Sequence, residues 1–386
     1  MLQSPFGKRL EMFERRTAKK FSKIYKEAKK PENRHPFDFK KDCLVLFSDH
    51  HKGDGSAADD FKKNALLYES ALSFYKEKGF KLIVLGDNEE LWECSYDQIL
   101  AIHKEIIEKE IEIALVSSNQ EKIRIWGNHD KEVSLWRFRR FLKALGEKIL
   151  NRVDHREGLC LGEDIFLIHG HQGRFFEDKA WRVSRWAVHF VWKTIQKLLK
   201  IGVDGPVENY EIRDDLEFQY YEWAKKNKVM LVCGHTHRAI FASLTHFDRL
   251  QIEIRHLKKF LTETASEGRE KLEKEIERRK AEREKILRRR SGIMPKSFAK
   301  NPEWPVPCYF NDGCCGYTNG ITCLEIEKQM IRLIKWQRDT SERIVLAEEN
   351  IQLLLKYIKE GRSVDESLEP KLKDYLMGSD LQNLSF

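Results

Sequence analysis

The stretch CLVLFSDHH, Cys43 to His51, sets five apolar residues directly before a run of metal-binding side chains. A short run rich in Val, Leu and Phe reads as a strand buried on both faces of a sheet. In open α/β sheets, ligands collect outside the carboxyl ends of such strands. Four further stretches repeat the arrangement: KLIVLGDNEE (Lys81 to Glu90), KIRIWGNHD (Lys122 to Asp130), IFLIHGH (Ile165 to His171) and VMLVCGHTH (Val229 to His237). Seven of the thirteen histidines fall inside these stretches. Histidines with merely structural roles would be scattered, so the pattern predicts one crevice in which Asp, Asn and His side chains meet around metal.

The spacing within each stretch sharpens this. Residues two apart on an extended segment share a face, so Asp49 with His51, and His235 with His237, are expected to point the same way. Gly86 permits a sharp exit from its strand, which lets Asp87 lie between two ions. A mixed imidazole and carboxylate set suits manganese, iron or zinc better than magnesium or calcium. Two such ions about 3.5–4 Å apart can clamp the attacking and leaving oxygens of a phosphoryl displacement. His50 reads as a neighbour of the site or an exposed residue rather than a ligand. His171 competes with His169, and His169 is favoured.

Around this core, 386 residues hold a substantial α/β domain with appended helices. No run of eighteen apolar residues exists and the first thirty residues lack an apolar core, so neither a membrane span nor a secretory signal is expected. Eight cysteines without disulfide-like or zinc-like spacing fit a reduced, cytoplasmic setting. The net charge of +8 permits phosphate, nucleic acid or anionic headgroups as partners and does not choose among them.

The expected organisation is a basic helical arm over 1–41, one domain over 42–337 and C-terminal helices over 338–386. Helices are predicted near Asp59–Lys78, Tyr96–Ser117 and Lys131–Leu145, alternating with strands as in βαβ units. Two strands joined by a turn are expected between Asn151 and His169, and a short strand over Ile240–Leu244. Residues 174–226 read as a helical cap, and 251–291 as one nearly unbroken charged helix supported by acid–base pairs three and four apart. After strands ITCLEI and IRLIKW, an amphipathic helix is predicted over 341–360.

In order, these elements closely resemble the calcineurin-like metallophosphoesterase superfamily, whose pattern runs D-x-H, G-D-x-x-D/E, G-N-H-D/E, H and G-H-x-H. The resemblance covers about 42–337 without the charged insert, and it implies central mixed β-sheets flanked by helices, an α/β sandwich. It further implies two divalent metal ions, manganese foremost. Asp49, His51, Asp87 and His237 would hold the first ion, and Asp87 would bridge to a second completed by Asn128, His169 and His235. His129 would face the substrate as general acid or transition-state stabiliser, oriented by Glu90. The implied reaction is hydrolysis of a phosphate ester or pyrophosphate by a metal-bridging hydroxide.

GDNEELW, with SDHH and GHTHR, looks like the branch containing UDP-2,3-diacylglucosamine pyrophosphatase, a lipid A pathway enzyme. That branch implies a lipid-linked pyrophosphate as substrate, as an alternative to a small phosphorylated molecule. In the cap, AWRVSRWAVHFVWKTIQKLLKI (180–201) sets Trp and basic residues around an apolar face, which suits peripheral contact with the inner membrane surface. Two residues depart from the branch: His171 stands where it usually has Asp, and His129 where it commonly has Arg. A nuclease or nucleic-acid-binding protein is a second reading, disfavoured because the insert alternates acid with base and no aromatic-rich strand offers stacking. A non-catalytic scaffold is disfavoured by the intact ligand set.

Overall fold

The computed structural model describes residues 5–56, 59–116, 122–131, 153–172, 210–263, 266–298 and 304–363. Each of the five apolar runs forms a strand: β1 (Leu44–Phe47), β2 (Lys81–Val84), β3 (Lys122–Ile125), β6 (Ile165–Ile168) and β7 (Met230–Cys233). The other described strands are β4 (Val153–Arg156), β5 (Gly158–Leu161), β8 (Tyr309–Asn311), β9 (Gly320–Glu327), β10 (Met330–Gln337) and β11 (Arg343–Asn350). The described α-helices are α1 (Pro5–Ala28), α2 (Ala65–Glu77), α3 (Tyr96–Ile113), α4 (Tyr210–Asn227), α5 (His246–Glu263), α6 (Ser266–Arg289) and α7 (Ile351–Glu360).

The strands form mixed sheets in the orders β11-β10-β9-β1-β2, β3-β4 and β5-β6-β7-β8. A parallel bridge between Leu85 and Ile125 joins β2 to β3. In the first sheet β1 lies parallel to β2 and antiparallel to β9, with Leu44 opposite Ile326. In the other large sheet β6, β7 and β8 run parallel, and β5 is antiparallel to β6. Strand alternation divides the core. Leu44 and Leu46 of β1 face a cluster shared with Phe166, Leu231, Phe310 and α7, whereas Val45 and Phe47 face Tyr68, Leu72 and Tyr75 of α2. The sheets are thus stacked with helices outside, which is the expected sandwich, and both faces of β1 are dry.

Several local expectations are corrected. Residues 343–350 are strand β11, paired along β10, and only 351–360 are helical. Ile344 and Leu346 are two apart, a strand period that runs directly into the helical period that follows. Asn350 makes the boundary, its side chain accepting from Leu353 N at 3.1 Å. The charged stretch 251–291 lies in two helices, α5 and α6, rather than one. Ile254, Leu257 and Phe260 of α5 pack on Ile276 of α6, and Arg279 binds Glu253 across the pair at 2.6 Å. The charges pair within α6 three and four residues apart, as in Arg278 with Glu275, and Arg279 with Glu253 and His246 with Glu282 add links between the helices. Three strands rather than two occupy 153–168, because β4 leaves to pair with β3. Ile240–Leu244 is a turn with isolated bridges rather than a strand. Beyond Lys131, the helix predicted over 131–145 lies outside the described residues, as does the segment 180–201, and of the expected cap only its last part, α4, is described.

Candidate metal centre

The ends of β1, β2, β3, β6 and β7 converge. Past its strand, the 49–52 segment stays zipped to the 86–90 segment: Asp49 N donates to Gly86 O (3.1 Å), His51 N to Asp87 O (2.9 Å) and Lys52 N to Asn88 O (3.0 Å). The backbone there is not extended. Asp49, His51, Asp87, His235 and His237 all have φ between 49° and 66°. The left-handed region is uncommon for residues with a side chain, and such conformations cluster at sites where function holds them. The paired residues do converge, but through left-handed turns rather than through strand alternation. Close approach completes the packing: a Cβ on Gly127 would collide with the Asp87 carboxylate, and one on Gly86 would lie 2.7 Å from both Gly127 N and His169 Nδ1.

Three groups of potential ligands result: Asp49, His51 and His237; Asp87, His169 and His235; and His51, Glu90 and His129, each set with its ligating atoms within 4.8 Å of one another. His237 Nε2 is 3.1 Å from Asp49 Oδ1 and 3.2 Å from His51 Nε2. Asp87 Oδ2 is 3.0 Å from His169 Nε2 and 3.9 Å from His51 Nε2, so one carboxylate faces both of the first two groups. The third group is already satisfied internally. Glu90 takes His129 Nδ1 on one oxygen at 2.7 Å and His51 Nδ1 on the other at 2.8 Å. Orienting two imidazoles is thus its evident work here.

Outer contacts fix which atom of each ligand faces inward. His169 Nδ1 donates to Leu85 O at 2.7 Å, which turns Nε2 to the site. Asp49 Oδ2 accepts from Ser48 Oγ and from His235 N (2.8 Å), leaving Oδ1 for the interior. His129 N donates to Asp87 Oδ1 at 2.8 Å, leaving Oδ2. Asn128 Oδ1 is buried with no hydrogen-bond partner, while the Asn128 carbonyl accepts from Trp92 Nε1 at 2.9 Å. Trp92 also stacks on the His129 ring, centroids 4.2 Å apart. A buried acceptor without a donor is costly in a dry protein. A cation at this position would satisfy it, so the residues present fit divalent metal.

The electrostatics agree. Burial alone would drive His169 towards neutrality, but Asp87 and Asp49 overrule it and lift its pKa to about 9. His237 is likewise raised despite burial, chiefly by Asp49. Asp49 and Asp87 are lowered in spite of burial, by His237 and by His169 respectively. Burial also opposes charge on Glu90, yet His129 and His51 pull it down to about 2. Protonated imidazoles thus stand where a metal's charge would.

Other residues entered the site unannounced. Asp312, at the end of β8, accepts from Ser48 Oγ at 2.8 Å, and Asn311 Nδ2 donates to Gly234 O at 2.7 Å, so a sixth strand end braces two of the ligand loops. Asp312 is raised well above the carboxylate range by burial and by nearby Asp49. Behind the ligands, buried Lys52 donates to Glu110 (2.6 Å) and Asn88, and Arg124 holds Glu89 and Asp130 (2.9 Å). Asp130 in turn accepts from Gly127 N (2.6 Å) and Asn88 N (3.0 Å), tying two motif loops together. Arg238, next to His237, pairs with Glu217 and Asp214 of α4. His50 is fully buried among Phe47, Phe61 and Tyr68, which removes the exposed alternative. His171 is buried behind His169, with ring centroids 5.4 Å apart, and lies 5.3 Å from Trp126.

Residues 44–239 match the family model described as calcineurin-like phosphoesterase. Among solved structures the chain is similar to Vacuolar Protein Sorting 29 from Cryptosporidium parvum, with 12% identity, a TM-score of 0.32, and coverage of 80% of this chain and 98% of that one. No curated protein matches the chain.

Proposed function

We propose that this chain, which belongs to the calcineurin-like phosphoesterase family and is thereby a metal-dependent hydrolase of phosphate esters, works through a dinuclear centre with His129 as its proton-handling group. The observation that carries this is Asp87: a single carboxylate faces two ligand groups, one with Asp49, His51 and His237 and the other with His169 and His235. Asn128, with its buried and unsatisfied oxygen, belongs to the second group. Divalent cations held there supply positive charge that activates water and clamps phosphoryl oxygens. Manganese fits the mixed nitrogen and oxygen donors best, with iron or zinc as alternatives.

The chain's own residues do the rest. Glu90 and Trp92 hold the His129 ring through Nδ1 and one face, so Nε2 is the atom presented to a substrate. From there it donates a proton to the leaving oxygen or stabilises charge on phosphorus. The Glu90-Leu91-Trp92 arrangement supports the branch that cleaves UDP-2,3-diacylglucosamine, and hence a lipid-linked pyrophosphate as the finer substrate reading. The absence of disulfides among eight free cysteines supports a cytoplasmic setting. Among the described residues no helix is long and apolar enough to cross a membrane.

The test is a metal-loaded screen over aryl phosphates, diesters, nucleotide-sugar pyrophosphates and single-stranded DNA. Hydrolysis of at least one phosphate ester, strongest with manganese and abolished by chelation, is expected. Undiminished turnover after exhaustive chelation would remove the dinuclear reading. Preference for the aryl phosphate over every pyrophosphate would remove the lipid-precursor reading.

A further inference from the structure

The helix α1 rises beside the mouth of the metal centre. Its Ile24 packs against Gly158, which pairs with Ile168, the residue before His169. Phe21 stacks on Tyr220 at 5.1 Å, and the Tyr220 hydroxyl donates to the carbonyl of Gly170. The helix therefore passes the level of the strand ends near Phe21. The part from Pro5 to Lys20 stands beyond that level, a rise of about 24 Å at 1.5 Å per residue.

This helix carries eight Lys and Arg against three Glu, a net +5 out of the chain's +8. Among its described side chains, Thr17, Phe21, Ile24 and Ala28 are buried against the domain. Arg15, Lys19, Lys23 and Lys26 are exposed, and at 3.6 residues per turn they fall within roughly 80° of arc on the opposite side. Glu27, the acidic residue among its described side chains, is paired with Lys30 at 2.8 Å and also feels the charge of Lys23.

We infer that α1 is a docking ridge for an anionic phospholipid surface, which it meets with its basic face. The ridge is convex and one-sided, so it lies along a plane rather than gripping a strand. No aromatic ring is exposed on its described face to stack on a nucleic-acid base. Along the described side chains the apolar side is committed to the core, so this stretch adheres by charge. The inference stands whichever ester the centre cleaves.

Flotation of the full chain with vesicles tests it. Binding is expected to vesicles of equal parts phosphatidylcholine and phosphatidylglycerol, not to phosphatidylcholine alone, and to be lost near 0.5 M salt, where the screening length is only about 4 Å. Replacing Arg15, Lys19, Lys23 and Lys26 with Gln should weaken partitioning on the order of 10²–10³-fold, at about a factor of five per charge. Turnover of a soluble aryl phosphate should not change. If that variant melts early, Lys23→Gln with Lys26→Gln reads the same effect at about 25-fold. Equal binding to neutral vesicles, no binding to acidic ones, undiminished binding by the variants, or displacement of the vesicles by a short RNA duplex would each overturn the proposal.

Discussion

Replacing Glu90 with Gln isolates what one carboxylate does for two imidazoles. The side chain is largely buried, with an oxygen on His129 Nδ1 at 2.7 Å and the other on His51 Nδ1 at 2.8 Å. Glutamine keeps a single acceptor oxygen, so one imidazole retains a partner and the other meets an N–H group. A hydrogen bond to a charged group is worth about 1.5–3 kcal/mol, which corresponds to roughly 10–150-fold in rate or affinity. If His129 loses its partner, turnover falls by that factor at saturating manganese. If His51 loses it, the loss appears as weaker metal binding and is recovered by adding metal. Glu90→Ala, which removes both acceptors, should show both effects together. Turnover of an aryl phosphate across a manganese titration, with metal content and melting temperature measured on the same preparations, separates these outcomes. Wild-type turnover and wild-type metal affinity in Glu90→Gln would refute the orienting role.

Three further outcomes are expected. His129→Ala should keep its metal yet lose about 10²–10⁴-fold in turnover, with a smaller loss on substrates whose leaving groups need no proton; equal losses would assign His129 to substrate binding. Asp87→Ala should lose metal from both groups, because its Oδ2 faces both, and normal metal content by elemental analysis would mean that the bridge lies elsewhere. Metal uptake should release protons: in the metal-free protein His169 titrates near 9, and a ligand imidazole must be neutral, so affinity rises from pH 6 to pH 8. Calorimetry in buffers of different ionisation heat checks this, and a pH-independent affinity would contradict it.

Much of this site was legible because one signal was repeated. Any single apolar run followed by Asp or His is common, but five in order left few alternatives for Asp49, Asp87, Asn128, His169 and His237. What escaped did so for identifiable reasons. The sixth strand end, Tyr309-Phe310-Asn311-Asp312, has the same form but only a three-residue strand, too short to register as an apolar run. Lys52 and Arg124 look like surface residues to any hydropathy argument, yet they are buried or nearly so because Glu110, Glu89 and Asp130 are there to pair with them. The left-handed backbone at the ligands could not be foreseen, since Asp and His carry no glycine-like mark of it. The α5–α6 pair was missed because its few apolar contacts, Leu257 on Ile276 among them, are outnumbered by charges that satisfy each other.

The register of β1 carries a consequence for how the protein is made. The first of the proposed ligands, Asp49 and His51, leave the ribosome early, and His237 is synthesised long before the strand that flanks β1, for Leu44 pairs with Ile326. Until β9 arrives, β1 has an open edge and the loop it feeds has support on one side only. Every proposed ligand therefore exists in the nascent chain before the scaffold that aligns them does. Metal captured at that stage meets an unfinished site, in which a softer or more abundant ion can lodge as readily as the working one. Choice of metal then belongs to the completed chain, and a pool of protein stalled or truncated before residue 320 would be expected to load indiscriminately or not at all.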